Sequence, residues 1–206
     1  MSNCEQFSGA GVLIIEVPRD GGELQLVLFR DKSKRAYSDA GGKCEHVKHK
    51  NDPLLTAKAE LYEESATLLK VPPRFLSGYV EKIVGKRQRW YRGYFLFTEE
   101  LKRKDYLENV DRLAEMDAEK YLQETDDMVR LPLSKVYRVL MVDHPDKRSP
   151  YVKHKGLKIK LHGRISELMR IAFEDDPEWL LRVMAESPFG HYKRKRDQDG
   201  LVHYVY

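Results

Sequence analysis

Two apolar, β-branched runs near the start of the chain are the feature that most constrains its fold. "GAGVLIIEV" starts at Gly9, "ELQLVLFR" ends at Arg30, and "PRDGG" lies between them. Two strands joined by a glycine-containing turn form a hairpin. Two later segments, "FLSGYVEKIVG" and "QRWYRGYFLFT", alternate aromatic and polar residues in the manner of half-buried strands. The chain is therefore predicted to build a sheet from segments on both sides of residues 39–69.

The segment between these strand pairs predicts a helix. An Asp-Pro pair at residues 52 and 53 favours a helix start, because Asp caps free N–H groups and Pro fits the first turn. The predicted helix covers residues 53–69, with apolar residues recurring on one stripe. Glu60, Glu63 and Glu64 fall together on a neighbouring stripe. A helix set between strands indicates an α+β fold.

The three glutamates carry the first hint of function. Like charges three and four residues apart on a helix repel one another by about a few tenths of a kcal/mol per pair. A hard divalent cation such as Mg²⁺ or Mn²⁺ would remove this cost, since it prefers carboxylate oxygens. The alternative is an acidic face exposed to water, which is the usual place of surface charge. Spacing alone leaves both alternatives open.

A glycine pair ahead of this helix extends the pattern. "GGKCE" begins at Gly41 and "AELYEESATLL" at Ala59, and together they resemble the signature of the Nudix hydrolase family. A later segment, "ETDDMVRLPLSKV", resembles a strand and helix that follow in that family. The order of segments is similar from about Gly9 to Leu140. The resemblance implies a Nudix-like α/β/α sandwich with a mixed sheet in residues 1–145, and residues 146–206 are predicted to form a helical, basic C-terminal extension packed on the core.

The resemblance also implies an activity. Glu60, Glu63 and Glu64 would bind Mg²⁺ or Mn²⁺, and the carbonyl of Gly41 would add a ligand. The protein would hydrolyse a phosphoanhydride in a nucleoside diphosphate linked to another group, with capped RNA and inositol pyrophosphates as variants. Glu64 or a carboxylate of "ETDD" would serve as general base, and Glu63 is the other predicted catalytic residue of the helix.

Within "ETDD", Glu124 is the first candidate for an outlying catalytic acid and Asp126 the second. Acids of an ordinary turn would look the same in the sequence.

The predicted helix departs from the family pattern at two positions. Ala59 stands where the pattern has an Arg that anchors the catalytic glutamates, and Ala66 stands where it has Gly. The loop between Gly42 and Glu60 is also longer than in the family. Another cation, such as Lys58, would then have to anchor the glutamates. A second hypothesis follows from these departures: a Nudix-fold module with weakened catalysis that binds a nucleotide or RNA.

Basic and aromatic residues are interleaved in "KIVGKRQRWYRGYFLF". The predicted substrate-binding residues are Arg87, Arg89, Trp90 and Arg92, because guanidinium groups pair with phosphates and an indole ring stacks on a base. The alternative is a strand whose aromatic residues fill the core while its arginines face solvent.

The net charge of +4 comes from the last third of the chain, where residues 146–206 hold 13 basic and 9 acidic residues. "YVKHKGLKIKLHGR" and "HYKRKR" offer cations that would extend an anion-binding track toward RNA or a polyphosphorylated inositol. A solvated surface, or for "HYKRKR" a nuclear-targeting tail, is the alternative. Apolar residues at helical spacing predict helices around residues 165–173 and 179–184. The segment "SPFGHYKRKRDQDG" is predicted to be mobile.

Composition bears on the location of the protein. The chain has two cysteines, which argues against a disulfide framework and for a reducing compartment. No apolar run approaches the roughly 20 residues of a membrane span, and the first residues lack the pattern of a signal peptide. We therefore expect a cytoplasmic protein, with the nucleus as the alternative, and no membrane partner.

Overall fold

The computed structural model describes residues 7–44, 49–84, 89–174 and 178–206. Its strands are β1 (Phe7–Glu16), β2 (Gln25–Asp31), β3 (Ala36–Ser38), β4 (Ala40–Lys43), β5 (Leu69–Lys70), β6 (Ser77–Val84), β7 (Arg89–Thr98), β8 (Thr125–Pro132), β9 (Tyr151–His154), β10 (Leu157–Lys160), β11 (Lys193–Arg196) and β12 (Val202–Val205). Its α-helices are α1 (Pro53–Glu64), α2 (Arg103–Glu115), α3 (Leu133–Tyr137), α4 (Gly163–Glu174) and α5 (Trp179–Glu186). None of these helices is both long and apolar enough to cross a membrane.

The largest sheet is mixed. Its strands run in the order β3-β2-β1-β7-β6, with β4 joined to β1 and β8 joined to β2. The pair β1 and β7 is parallel, whereas β1–β2 and β6–β7 are antiparallel. Both strand pairs predicted from the sequence are present, and the predicted α+β fold with a mixed sheet is confirmed.

Alternation along the strands places a core on each face of this sheet. In β1, Val12 and Ile14 are buried on one face, and Leu13 and Ile15 on the other. The first face packs against α1 and α2, and the second packs against α3, α4 and α5. The molecule is therefore a sandwich of helices, sheet and helices.

Residues 146–206 contribute to both cores. The two predicted helices form as α4 and α5, and Leu168 and Met169 of α4 are fully buried on one side of the sheet. Val202 and Tyr204 are fully buried on the other side. The segment is helical only in part, because it also holds the β9–β10 hairpin and the strands β11 and β12.

The prediction that "SPFGHYKRKRDQDG" is mobile is wrong for its "KRKR" residues. Residues 193–196 form β11, which pairs antiparallel with β12. Arg194 donates two hydrogen bonds to the carboxylate of Asp105 on α2, at 2.7 and 2.9 Å. This partner lies far away in the sequence, so the composition of the segment did not reveal it.

Helix α1 begins as predicted but ends five residues early. Asp52 accepts hydrogen bonds from the backbone N–H groups of residues 54 and 55, so it caps the helix. The helix stops at Glu64 because Ala66 and Thr67 adopt left-handed φ values of 50° and 62°. Ala66 thus occupies a conformation that suits glycine better.

A buried amide holds the turn after α1. Asn109 of α2 is fully buried and donates to the carbonyls of Ala66 and Val202, at 2.9 and 2.7 Å. Its carbonyl accepts the N–H of Val202 at 2.7 Å. One side chain therefore joins α2, the turn that ends α1 and β12.

We expect Asn109→Ala to lower the free energy of unfolding by about 3 kcal/mol, because three buried backbone groups lose their partner. Urea denaturation followed by circular dichroism measures this change. Asp111→Ala, at an exposed position of the same helix, is the matched control and should change stability by less than about 0.5 kcal/mol. Equal effects of the two substitutions would contradict the role assigned to Asn109.

Candidate active site

A cavity of about 550 Å³ lies between β4, α1, the residue before β8 and the start of α4. Carboxylates and cations both line it. Its acidic and basic lining residues are Asp31, Lys34, Lys43, Glu60, Glu63, Glu64, Glu124 and Arg164, and His162 also lines it. The four glutamates selected from the sequence therefore face one cavity.

The fold brings the outlying acid to the helix through a backbone contact. The hydroxyl of Thr125, at the start of β8, donates to the carbonyl of Glu64 at 2.7 Å. Glu124 precedes it and lines the cavity. Asp126 is instead bonded to Arg30 at 2.7 Å and is absent from the described lining. Of the two acids considered in "ETDD", the geometry favours Glu124.

Two glycines of β4 let the glutamates approach the sheet. The N–H of Gly41 donates to Oε2 of Glu64 at 3.0 Å. A Cβ at Gly42 would lie 2.4 Å from either carboxylate oxygen of Glu60, and one at Gly41 would lie 2.1 Å from the hydroxyl of Tyr91. Any larger residue at either position would therefore displace the groups that line the cavity.

The surroundings of Glu64 disfavour its ionised form. Protein atoms surround its carboxylate, although the cavity leaves part of the side chain accessible. Burial raises the pKa of Glu64 to about 8; the charges of Asp39 and Glu60 add to the shift, while Arg164 and the Gly41 N–H oppose it. A cation bound in the cavity would stabilise the ionised form.

The cation whose charge acts on Glu64 is Arg164, which belongs to the C-terminal extension. Nε of Arg164 donates to Oδ1 of Asp39 at 2.8 Å, and the hydroxyl of Tyr91 donates to Oδ2 at 2.8 Å. The guanidinium carbon of Arg164 lies 5.0 Å from the centre of the Tyr91 ring. Burial alone would raise the pKa of Asp39, but the charge and hydrogen bond of Arg164, with hydrogen bonds from Ser38 and Tyr91, hold it below its usual range.

Sequence reasoning missed Asp39, Tyr91 and Arg164. Asp39 stands two residues before Gly41, just ahead of the glycine pair that carries the resemblance, and Tyr91 stands inside the basic aromatic strand. No local pattern marks Arg164, which is 125 residues away from its partner. Only folding makes it part of the site.

The predicted substrate-binding residues lie elsewhere in the strand. Arg87 falls outside the described residues. Arg92 is bonded to Glu81 at 2.6 Å and lies over the ring of Tyr79 at 4.0 Å. Arg89, Trp90 and Arg92 are absent from the described lining of the cavity, where Tyr91 is the residue of this strand that contributes. Neighbouring residues of a strand point to opposite faces, so Trp90 and Arg92 lie on the face opposite to that of Tyr91.

The donor groups fit a divalent metal ion by their chemistry. Four glutamate side chains on one cavity offer hard oxygen ligands. Across the described ranges, no three carboxylate, imidazole or thiolate groups converge closely enough to hold a metal. The ligands are thus gathered along one wall without forming a closed coordination sphere.

We expect Mn²⁺ binding to strengthen with pH, because an ionised Glu64 binds the cation and a raised pKa keeps it protonated below about pH 8. Release of one proton on binding makes the apparent Kd fall about tenfold per pH unit between pH 6 and 8. Electron paramagnetic resonance of free Mn²⁺ measures this Kd. Glu64→Gln should weaken binding and flatten its pH dependence. A wild-type Kd that is independent of pH would contradict the assignment.

No protein-family model matches the chain, and no curated protein matches it in sequence. Solved structures do resemble it. A MutT/nudix family protein from Enterococcus faecalis is 11% identical, with a TM-score of 0.49 over 89% of this chain and 70% of that one. The NUDIX domain of Shewanella oneidensis NrtR, solved with ADP ribose, is 12% identical, with a TM-score of 0.46 over 85% of this chain and 99% of that one.

The Nudix hydrolase RenU from M. smegmatis is also 12% identical, with a TM-score of 0.44 over 90% of each chain. At such identities and TM-scores the likeness concerns overall fold and says nothing of activity. The solved structures that this chain is similar to are Nudix proteins, the family that its sequence resembles.

Proposed function

We propose that this chain is a metal-dependent pyrophosphohydrolase that cleaves a phosphoanhydride in a nucleoside diphosphate linked to another group. Capped RNA and inositol pyrophosphates are variants of that substrate class. The observation that carries the proposal is that Glu60, Glu63, Glu64 and Glu124 line one cavity, which basic side chains also line. A purely solvated acidic face would not enclose a carboxylate as Glu64 is enclosed.

Glu60, Glu63 and Glu64 would hold Mg²⁺ or Mn²⁺, with the Gly41 carbonyl as a further ligand. Once bound, the ion would neutralise charge on the diphosphate and lower the pKa of a bound water. The glycines of β4 keep the sheet close to the helix, so the glutamates can act from one wall. Lys34, Lys43 and Arg164 line the same cavity and give the phosphates positive charge to face.

The reaction itself is a hydrolysis. A water oxygen bonds to phosphorus, the bridging P–O bond breaks, and the leaving phosphate departs with the bond's electron pair. The water proton passes to a carboxylate; Glu64 is the first candidate and Glu124, which lines the same cavity, is the second. A carboxylate that is ionised when the cation is bound can accept this proton.

Arg164 takes the place of the Arg that Ala59 replaces. It does so from α4, by pairing with Asp39 instead of standing in α1. Its charge opposes the rise in the pKa of Glu64. We regard Arg164 as a positioning residue, since it acts on the wall that carries Gly41 and Glu64.

Release of nucleotide or phosphate from a substrate panel tests the proposed function. The panel holds nucleoside diphosphate sugars, dinucleoside polyphosphates, capped RNA and inositol pyrophosphates, each with Mg²⁺, with Mn²⁺ and with chelator. We expect turnover of one class that requires metal and falls at least about a hundredfold in Glu63→Gln/Glu64→Gln. Wild-type turnover by this variant would refute the roles of both glutamates.

The binding-module hypothesis makes a different prediction for the same panel. Ala59 and the open arrangement of the carboxylates favour it. If nothing on the panel turns over while a nucleotide or RNA binds regardless of metal, the chain is a binding module and the hydrolase proposal fails.

We expect Arg164→Met to reduce kcat about 10- to 100-fold, as loss of a supporting contact does at metal sites. It should also lower the free energy of unfolding by about 3–5 kcal/mol, because Asp39 is left as an unpaired buried charge. Steady-state kinetics and urea denaturation measure the two effects.

The double variant Asp39→Asn/Arg164→Met separates these effects. Removing both charges should restore much of the stability and none of the lost kcat. Recovery of kcat together with stability would show that Arg164 serves the fold alone.

A further inference from the structure

A second group of cations lies on the β9–β10 hairpin. The two strands pair antiparallel, with Lys153 opposite Lys158 and Tyr151 opposite Lys160. Because directly paired residues point to the same side, these four side chains share one face of the hairpin. We call the surface formed by Lys153, Lys158 and Lys160 the lysine face.

The lysine face is electrostatically strained. Like charges placed directly opposite each other across a strand pair are destabilising. No described carboxylate forms an ion pair with any of its three lysines. Lys155, in the turn, adds a fourth exposed cation. Burial and the charges of Lys135 and Lys155 lower the pKa of His154, which is consistent with positive potential around the hairpin.

The orientation of this face is set by the core. On the opposite side of the hairpin, Val152 and Ile159 are 1% and 3% exposed and belong to the core around α4. The turn is tight, with positive φ at both Lys155 and Gly156, as in a type I′ hairpin. The Nζ of Lys158 lies 4.5 Å from the centre of the Tyr151 ring, which holds that cation on the face.

The hairpin leads directly into the cavity. Leu161 follows β10, forms a bridge with Tyr37 of β3, and is followed by His162, whose N–H donates to the Tyr37 carbonyl at 2.8 Å. His162 and Arg164 then line the cavity. Cations therefore continue along the chain from the cavity to the lysine face. Alternate residues of a strand are about 7 Å apart, a spacing of the same order as that between successive phosphates of an extended nucleic-acid strand.

The other basic strand is engaged within the fold. In β11, Arg194 pairs with Asp105 and Arg196 pairs with Glu108, each at 2.7 Å. Half of the charge in "KRKR" is thus neutralised by α2. Lys193 and Lys195 are exposed in the same strand and are absent from the described lining of the cavity.

From this geometry we infer that the lysine face binds the phosphodiester backbone of a single-stranded nucleic acid whose 5′ end enters the cavity. The entry of the 5′ end rests on the proposed function, whereas the binding of the strand does not. A narrow row of cations on a two-stranded hairpin suits one strand better than a duplex.

Fluorescence anisotropy of a short, 3′-labelled single-stranded RNA with a 5′-triphosphate, in chelator, tests the inference. We expect the charge-reversed variant Lys153→Glu/Lys158→Glu to raise Kd at least about tenfold, and to reduce the slope of log K against log salt by about 2. Lys153→Arg/Lys158→Arg should keep wild-type affinity. The matched control Lys193→Glu/Lys195→Glu should stay within about twofold of wild type. Thermal melting checks that each variant is folded.

Equal Kd values for wild type and the charge-reversed hairpin, or an equal loss in the β11 control, would overturn the inference. Binding of polyglutamate as tight as that of RNA would also overturn it, by showing a general anion surface. A parallel titration with DNA of the same sequence identifies which strand binds more tightly, and tighter binding of either supports the inference. If the hairpin effect stands while no substrate is hydrolysed, only the proposed hydrolase activity fails.

Discussion

The ion pair between Asp39 and Arg164 is the interaction on which the site depends. Asp39 is fully buried, and a buried carboxylate needs a partner to remain ionised. Arg164 supplies it from the C-terminal extension, and Tyr91 of the central sheet completes the cluster. Three separate parts of the chain are thereby held around the glycine strand that faces Glu64.

Charge balance explains how the proposed site would serve both a cation and a phosphate. Glu64 and Asp39 lie close enough that each affects the ionisation of the other, yet only Asp39 has a strong direct counter-ion. The pKa of Asp39 falls while that of Glu64 rises. In the proposed site, the carboxyl without a strong counter-ion would receive a cation from solution, and the basic side chains that line the same cavity would face an anion.

The C-terminal extension is part of the architecture in three ways. Leu168 packs in one core and Tyr204 in the other, Arg164 enters the cavity, and the β9–β10 hairpin continues the basic surface outward. These roles follow from the order of the chain, since the hairpin precedes α4 without a linker. The two basic strand pairs of the extension also differ, because β11 has carboxylate partners on α2 and the lysine face of the β9–β10 hairpin has none among the described residues.

The features that could be predicted from the sequence are short-range. Apolar, β-branched runs marked β1 and β2, and alternation marked β6 and β7. The Asp-Pro pair marked the start of α1, and helix periodicity placed three glutamates together. Each depends on residues within a turn or two of one another. The glycine pair and "ETDD" added a resemblance to a family, which indicated where Gly41 and Glu124 belong.

The remaining features depend on contacts between distant residues, which local pattern does not encode. Left-handed backbone at Ala66, held by the buried Asn109, decided where α1 ends. Pairing with β12 turned a basic segment expected to be mobile into a strand. The alternation of side chains between the two faces of β7 decided that Tyr91 and not Trp90 reaches the cavity. Arg164 became part of the site because burying Asp39 requires a counter-charge, and the fold delivers it from 125 residues away.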